Sequence, residues 1–176
     1  MSAFLPGIPE PGEFNPAFAG YVDKARSFAD PVQKIEQQLD EMLSLLRPLH
    51  AGKQMHRYAA GKWSVKQVLG HITDAERIFS YRLLRIARAD PTPLPPFEEN
   101  AYVTASEVER CEWSELIAEF QHVRRSTILL LRHIPEAAWR RMGTSSGAPT
   151  SVRALAYIMI GHVAHHLGIL RERYGL

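Results

Sequence analysis

The chain has 176 residues, 45% of them hydrophobic and 23% charged, which suits one domain with its own core and excludes wholesale disorder. Lys and Arg number 21 against 19 Asp and Glu, and the formal net charge of +2 excludes a dominant polyanion-binding footprint. A single cysteine, Cys111, excludes an intrachain disulfide and a multi-cysteine zinc site.

Residues 1–29 read as a Pro/Gly-rich arm with spaced aromatics, Phe4, Phe14, Phe18, Tyr21 and Phe28. These aromatics place the arm against the body, with a short helix within 16–28. The start lacks a basic region and a continuous apolar stretch, and Pro6, Pro9, Pro11 and Pro16 would break a signal-peptide helix. No apolar run reaches the length of a membrane span. The expected compartment is cytoplasmic, with Cys111 reduced.

The body is expected over 30–176. Asp30 is an N-cap residue with Pro31 in the first turn and Gln33 as capping-box partner. Val32, Ile35, Leu39, Met42, Leu46 and Leu49 then form one apolar stripe, and Pro48 and Gly52 mark the helix end. A second helix opens at Ser64 with Gln67 as box partner, carries the stripe Val68, Ile72, Ala75 and Phe79, and runs to about Ala89. Arg82, Arg85 and Arg88 read as its solvated face.

The stretch from Asp90 to Pro96 enforces a long irregular connection. Ser106 with Glu109 predicts the start of a third helix, with Trp113, Leu116, Ile117, Phe120, Val123, Leu130 and Leu131 on its buried side. Pro135 opens a short helical turn through Trp139, and Gly143 to Pro149 reads as a flexible link. The last helix is expected from about Ser151 to Tyr174, with Gly175 after its end. No segment alternates with period two for a useful length, so the fold class is all-α, a four-helix bundle with an N-terminal arm and a long connection between helices two and three.

In the last helix Leu155, Met159, His162, His166 and Leu170 share one stripe, so two buried positions are imidazoles four residues apart. Such a pair can ligate one metal ion, and two rings buried without partners would each cost about 1–3 kcal/mol. His71, beside the stripe of helix two, offers the third ring. Three histidines without a fourth protein ligand describe an open site of the catalytic kind. A core histidine that is merely hydrogen-bonded is the plain alternative. Ligand imidazoles must be neutral, so metal affinity is expected to fall as pH drops through the range near 6.

Other candidates are lesser. His165 lies toward the edge of the inner face, where a supporting group, a substrate contact or a surface residue are all open readings. Asp74, one turn from His71, is a weak candidate for a proton acceptor. Glu119 and His122 match the E-x-x-H of di-iron bundles, but the chain has no second copy, and His122 is expected in solvent. Cys111 reads as an ordinary thiol.

Two stretches carry a resemblance. Gly61-Lys62-Trp63-Ser64-Val65-Lys66, followed by Gly70-His71-Ile72-Thr73-Asp74-Ala75-Glu76-Arg77, resembles the start of helix two in the DinB-like superfamily. Ser151 to Tyr157 followed by Gly161-His162-Val163-Ala164-His165-His166-Leu167 is similar to its last helix. Phe97 to Val103 and the arm segment Pro11 to Phe14 are similar too. The resemblance implies an up-down-down-up bundle and a divalent metal, zinc or nickel, on His71, His162 and His166. It also implies a homodimer and an enzyme acting on a small molecule. That enzyme would be either a hydrolase or a thiol-dependent S-transferase using bacillithiol, mycothiol or glutathione; the family also includes a maleylpyruvate isomerase. A non-catalytic dimeric bundle, with the metal only pinning helices together, is the rival reading. Nucleic acid and membrane partners are not expected.

Overall fold

A computed structural model describes residues 4–176. Met1 to Ala3, the first residues of the expected arm, lie outside the described residues. The helices are α1 (Ala19–Ala25), α2 (Pro31–Leu46), α3 (Ala51–Gln54), α4 (Val65–Ala87), α5 (Glu99–Ser106), α6 (Trp113–Arg132) and α7 (Val152–Glu172). A hairpin of β1 (Met142–Ser145) and β2 (Ala148–Ser151) precedes α7.

The helix starts follow their caps. The Asp30 carboxylate accepts from the Val32 and Gln33 amides at 2.9 and 3.1 Å, without the return bond expected from Gln33. Ser64 and Gln67 form the full reciprocal capping box of α4. The Ser151 hydroxyl accepts from the Ala154 amide at 3.0 Å and starts α7.

Chain directions follow from which residues meet. Gln38 of α2 donates to the Ile160 carbonyl of α7, and Arg171 pairs with Glu41, so α2 and α7 run parallel. The Trp113 indole donates to the Leu46 carbonyl while Arg132 bonds Glu36, so α6 runs antiparallel to α2. Lys66 reaches Cys111 and Arg77 reaches Glu119, so α4 and α6 run the same way. The order is up-down-down-up, with α2 and α4 diagonal across a shared core.

Helix α7 is buried continuously from Val152 to Val163, because α2, α4 and α1 all pack on it. A helix apolar nearly all round belongs inside. The arm supplies the third cover. It is latched by Glu13, which accepts from the Ser151 hydroxyl at 2.6 Å and from Arg153 Nε at 2.8 Å.

Three expectations change. Gly143 to Pro149 is the core of a hairpin, not a flexible link: Ser146 and Gly147 both have positive φ (51° and 75°), as a tight two-residue turn requires. Leu94 hydrogen-bonds to Thr144 and Ser146, so the Pro-rich connection is tied to this hairpin. The third long helix starts at Trp113, because residues 99–106 close off a separate helix at Glu107, in the left-handed region at φ 46°. Arg82 is buried, not solvated; it donates to the Pro95 carbonyl at 2.6 Å, and the Pro-rich connection wraps over it.

Candidate metal centre

The capping box at Ser64 fixes where α4 begins and so places His71 in its second turn, facing inward. Because α4 runs against α7, that turn meets the middle of α7. The start of α4 is held there by the Tyr174 hydroxyl, which donates to the Trp63 carbonyl at 2.6 Å. His71, His162 and His166 are 4%, 4% and 6% exposed.

Their rings converge. His162 Nε2 lies 3.0 Å from His71 Nε2 and 3.2 Å from His166 Nε2. One ring nitrogen from each of the three falls within 4.8 Å of the others. Imidazole nitrogens at 2.0–2.1 Å from a tetrahedral ion would stand about 3.3 Å apart. The donor set therefore fits one small divalent ion. Hydrogen bonding alone serves it poorly: the Nε2 of His162 faces two ring nitrogens, yet a neutral imidazole nitrogen has either one N–H or one lone pair and serves only one of them.

Burial sets the protonation. It holds His71 down at about 4, with His165 adding repulsion. It holds His166 at about 3, with His71 and His165 adding to the effect. His162 is pushed well below the ordinary imidazole value, first by burial and then by His166, His71, His165 and Arg124. At neutral pH all three rings are uncharged, as ligation requires.

A cavity of about 310 Å³ opens onto His71 and His166. That is the lower end of the range for small-molecule sites. Trp63 forms one wall, its ring 4.8 Å from that of His71. Tyr21 forms another, edge-on to His162 at 5.4 Å. Lys62 and Glu99 lie at the exposed rim.

His165 lines this cavity, half-buried, with its ring 5.1 Å from that of His166. Asp74 is not brought to the cavity; its carboxylate faces Arg77 and Glu119, and burial raises its pKa while Arg77 offsets the rise. Glu119 pairs with Arg77, and His122 is exposed. Cys111 is exposed, and the lysine near it, Lys66, bonds its backbone carbonyl.

Residues 34–170 match the family model of the DinB superfamily. The chain belongs to the DinB superfamily. A protein of Geobacillus thermodenitrificans (strain NG80-2) named "Putative metal-dependent hydrolase" is 28% identical over 158 residues, 84% of this chain and 88% of that one. Among solved structures, YfiT from Bacillus subtilis, described as "a probable metal-dependent hydrolase with an unusual four-helix bundle topology", superposes with TM-score 0.72 at 19% identity. That match covers 82% of this chain and 86% of YfiT. A mycothiol-dependent maleylpyruvate isomerase superposes with TM-score 0.65 at 12% identity, over 78% of this chain and 58% of that one. Both structural likenesses concern the fold of this DinB superfamily chain.

Sequence reasoning missed Tyr21, Trp63 and Glu99 as cavity residues. Each comes from a segment whose place against α7 depends on tertiary packing. It also missed the buried polar group made by Gln38, Glu76 and Arg124.

Proposed function

We propose that His71, His162 and His166 hold a divalent metal ion, zinc or nickel, and that the chain is a metal-dependent hydrolase of a small molecule. The observation that carries this reading is the convergence of three neutral, buried ring nitrogens at one edge of a cavity. The names of the Geobacillus protein and of YfiT support hydrolysis over the other chemistries of the fold. A divalent ion on three imidazoles keeps a position for water or substrate and supplies Lewis-acid chemistry there.

The chain's own part is to hold that position open and shaped. His71 and His166 face the cavity, and no Asp, Glu or Cys joins the cluster among the described residues. A purely structural ion is usually closed by a fourth protein ligand, so the open side favours catalysis. Trp63 and Tyr21 wall the cavity beside these rings.

The test begins with metal content of the purified protein by mass spectrometry, for the wild type and His71→Ala. Wild-type and variant protein are then assayed against a panel of small esters, amides and thioesters. Metal-dependent turnover that chelation and His71→Ala both abolish supports the reading. A wild-type protein that binds no zinc or nickel overturns it. Turnover seen only with added glutathione, bacillithiol or mycothiol would replace hydrolysis by S-transfer.

A further inference from the structure

The imidazoles do not account for the whole cavity, because the arm contributes a polar side chain, Tyr21, to its lining. Tyr21 lies on α1, whose Val22 and Ala25 are fully buried against the body. The Tyr21 carbonyl stands where a Cβ on Gly161 would be, 1.9 Å from it, so the arm rests directly on the turn that carries His162. The Tyr21 ring is edge-on to His162 and 5.6 Å from His165, and it stacks on Phe18 at 6.2 Å.

Its hydroxyl differs from those of two other tyrosines packed on or in α7. The Tyr157 hydroxyl donates to the Phe28 carbonyl at 2.9 Å, and that of Tyr174 donates to Trp63. Among the described residues the Tyr21 hydroxyl has no hydrogen-bond partner, although the residue is half-buried. The charge that acts on it is that of Glu99, which lines the same cavity. The Tyr21 side chain lines the cavity together with His71 and His166. A tyrosine hydroxyl ordinarily titrates near 10, so it carries its proton at neutral pH. A phenol there has one O–H to give.

We infer that Tyr21 is a hydrogen-bond donor of the cavity, presenting its O–H to the anionic atom of a ligand seated beside His71, His162 and His166. This rests on the metal reading of those histidines. The chemistry it suits is a carboxylate, or a carbonyl oxygen that gains negative charge during reaction, for which a fixed donor is worth most. The donor is delivered by the arm, so recognition depends on a segment outside the four long helices.

The probe is inorganic azide, titrated into cobalt-loaded wild type, Tyr21→Phe and Tyr21→Gln and followed by the visible cobalt spectrum. Tyr21→Phe keeps the ring and removes the donor. It is expected to bind cobalt as the wild type does and azide about tenfold more weakly, the size of a lost charge-assisted hydrogen bond. Tyr21→Gln, which supplies an N–H donor, should recover part of the loss. Unchanged azide affinity in Tyr21→Phe overturns the assignment. So does a parallel loss of cobalt affinity in Tyr21→Phe, because the residue would then only position the histidines. A wild type that takes up no cobalt overturns the metal reading itself, and this one with it.

Discussion

Arg124 Nη1 donates to Glu76 Oε2 at 2.6 Å, and the two side chains are 0% and 2% exposed. The pair ties α6 to α4. Arg124 Nη2 also donates to Gln38 Oε1 at 2.6 Å, and Gln38 Nε2 donates to the Ile160 carbonyl at 2.8 Å. One polar chain thus crosses the core from α4 through α6 and α2 to α7. It ends two residues before His162 and starts five after His71.

A buried ion pair is costly to break and far less costly to replace. Arg124→Met alone leaves the Glu76 carboxylate buried without its charge partner, and it should lose about 3–5 kcal/mol of stability. The double variant Arg124→Met with Glu76→Leu should lose less than that single variant. Urea denaturation of both proteins decides it. A double variant less stable than Arg124→Met would mean the expected relief from removing the unpaired carboxylate does not occur.

Metal removal should lower the melting temperature. An ion at 100 times its dissociation constant adds about 2.7 kcal/mol to the folded state, roughly 5–10 °C for a domain of this size. Scanning calorimetry with and without chelator measures it. His71→Ala should melt at the same temperature under both conditions, since it lacks one of the three rings. A chelator effect that survives in His71→Ala would place the ion elsewhere.

The pH dependence of the metal-free protein follows from the depressed histidines. In the unfolded chain they protonate near 6.5, whereas in the folded state His71 waits until about 4 and His166 until about 3. Between those values the unfolded state binds more protons. Stability is therefore complete above about pH 6.5 and falls as pH drops, by about 1.4 kcal/mol per pH unit for each such histidine. Urea midpoints at pH 7.5, 6.0 and 5.0 should show a plateau and then a decline, with a shallower decline in His71→Phe. The same burial moves proton competition for the ion down from the expected region near 6, toward the value of about 4 at His71. Retention of cobalt at pH 5.5 by equilibrium dialysis checks that.

Much of this was legible before any coordinates. The cap at Asp30 and the box at Ser64 locate two bundle helices, and the stripe of α7 carries its two imidazoles openly. His71 could be placed because it neighbours an apolar stripe. The polar chain had the same kind of signal: Gln38 is three residues after Ile35, Glu76 four after Ile72, and Arg124 four after Phe120. Their polar side chains masked that periodicity. The hairpin was hidden because each strand has four residues, too few to establish alternation. Arg82 read as exposed because only the folded Pro-rich connection covers it. Tyr21 was legible only as one of the aromatics that place the arm against the body, since nothing local in the arm says which helix it will meet.

Two glycines of α7 make opposite predictions. Alanine is the better helix former by about 1 kcal/mol, so replacing a helical glycine should stabilise wherever there is room. At Gly168 the nearest atom to a new Cβ is the flexible end of Glu172 at 4.0 Å, and Gly168→Ala should raise stability by up to about 1 kcal/mol. At Gly161 the same Cβ would meet the Tyr21 backbone carbonyl at 1.9 Å, and backbone cannot rotate aside. Gly161→Ala should therefore push α1 off α7, with a net loss of about 1–3 kcal/mol as in other overpacked cores. Because α1 carries Tyr21, that variant should also open the cavity while leaving His71, His162 and His166 on their own helices. Limited proteolysis should cut the Gly161→Ala arm faster than the wild-type arm, and cobalt should still bind. An arm that stays protected in Gly161→Ala would mean α1 can shift without detaching, and the close approach of the two backbones would not be what holds Tyr21 over the site.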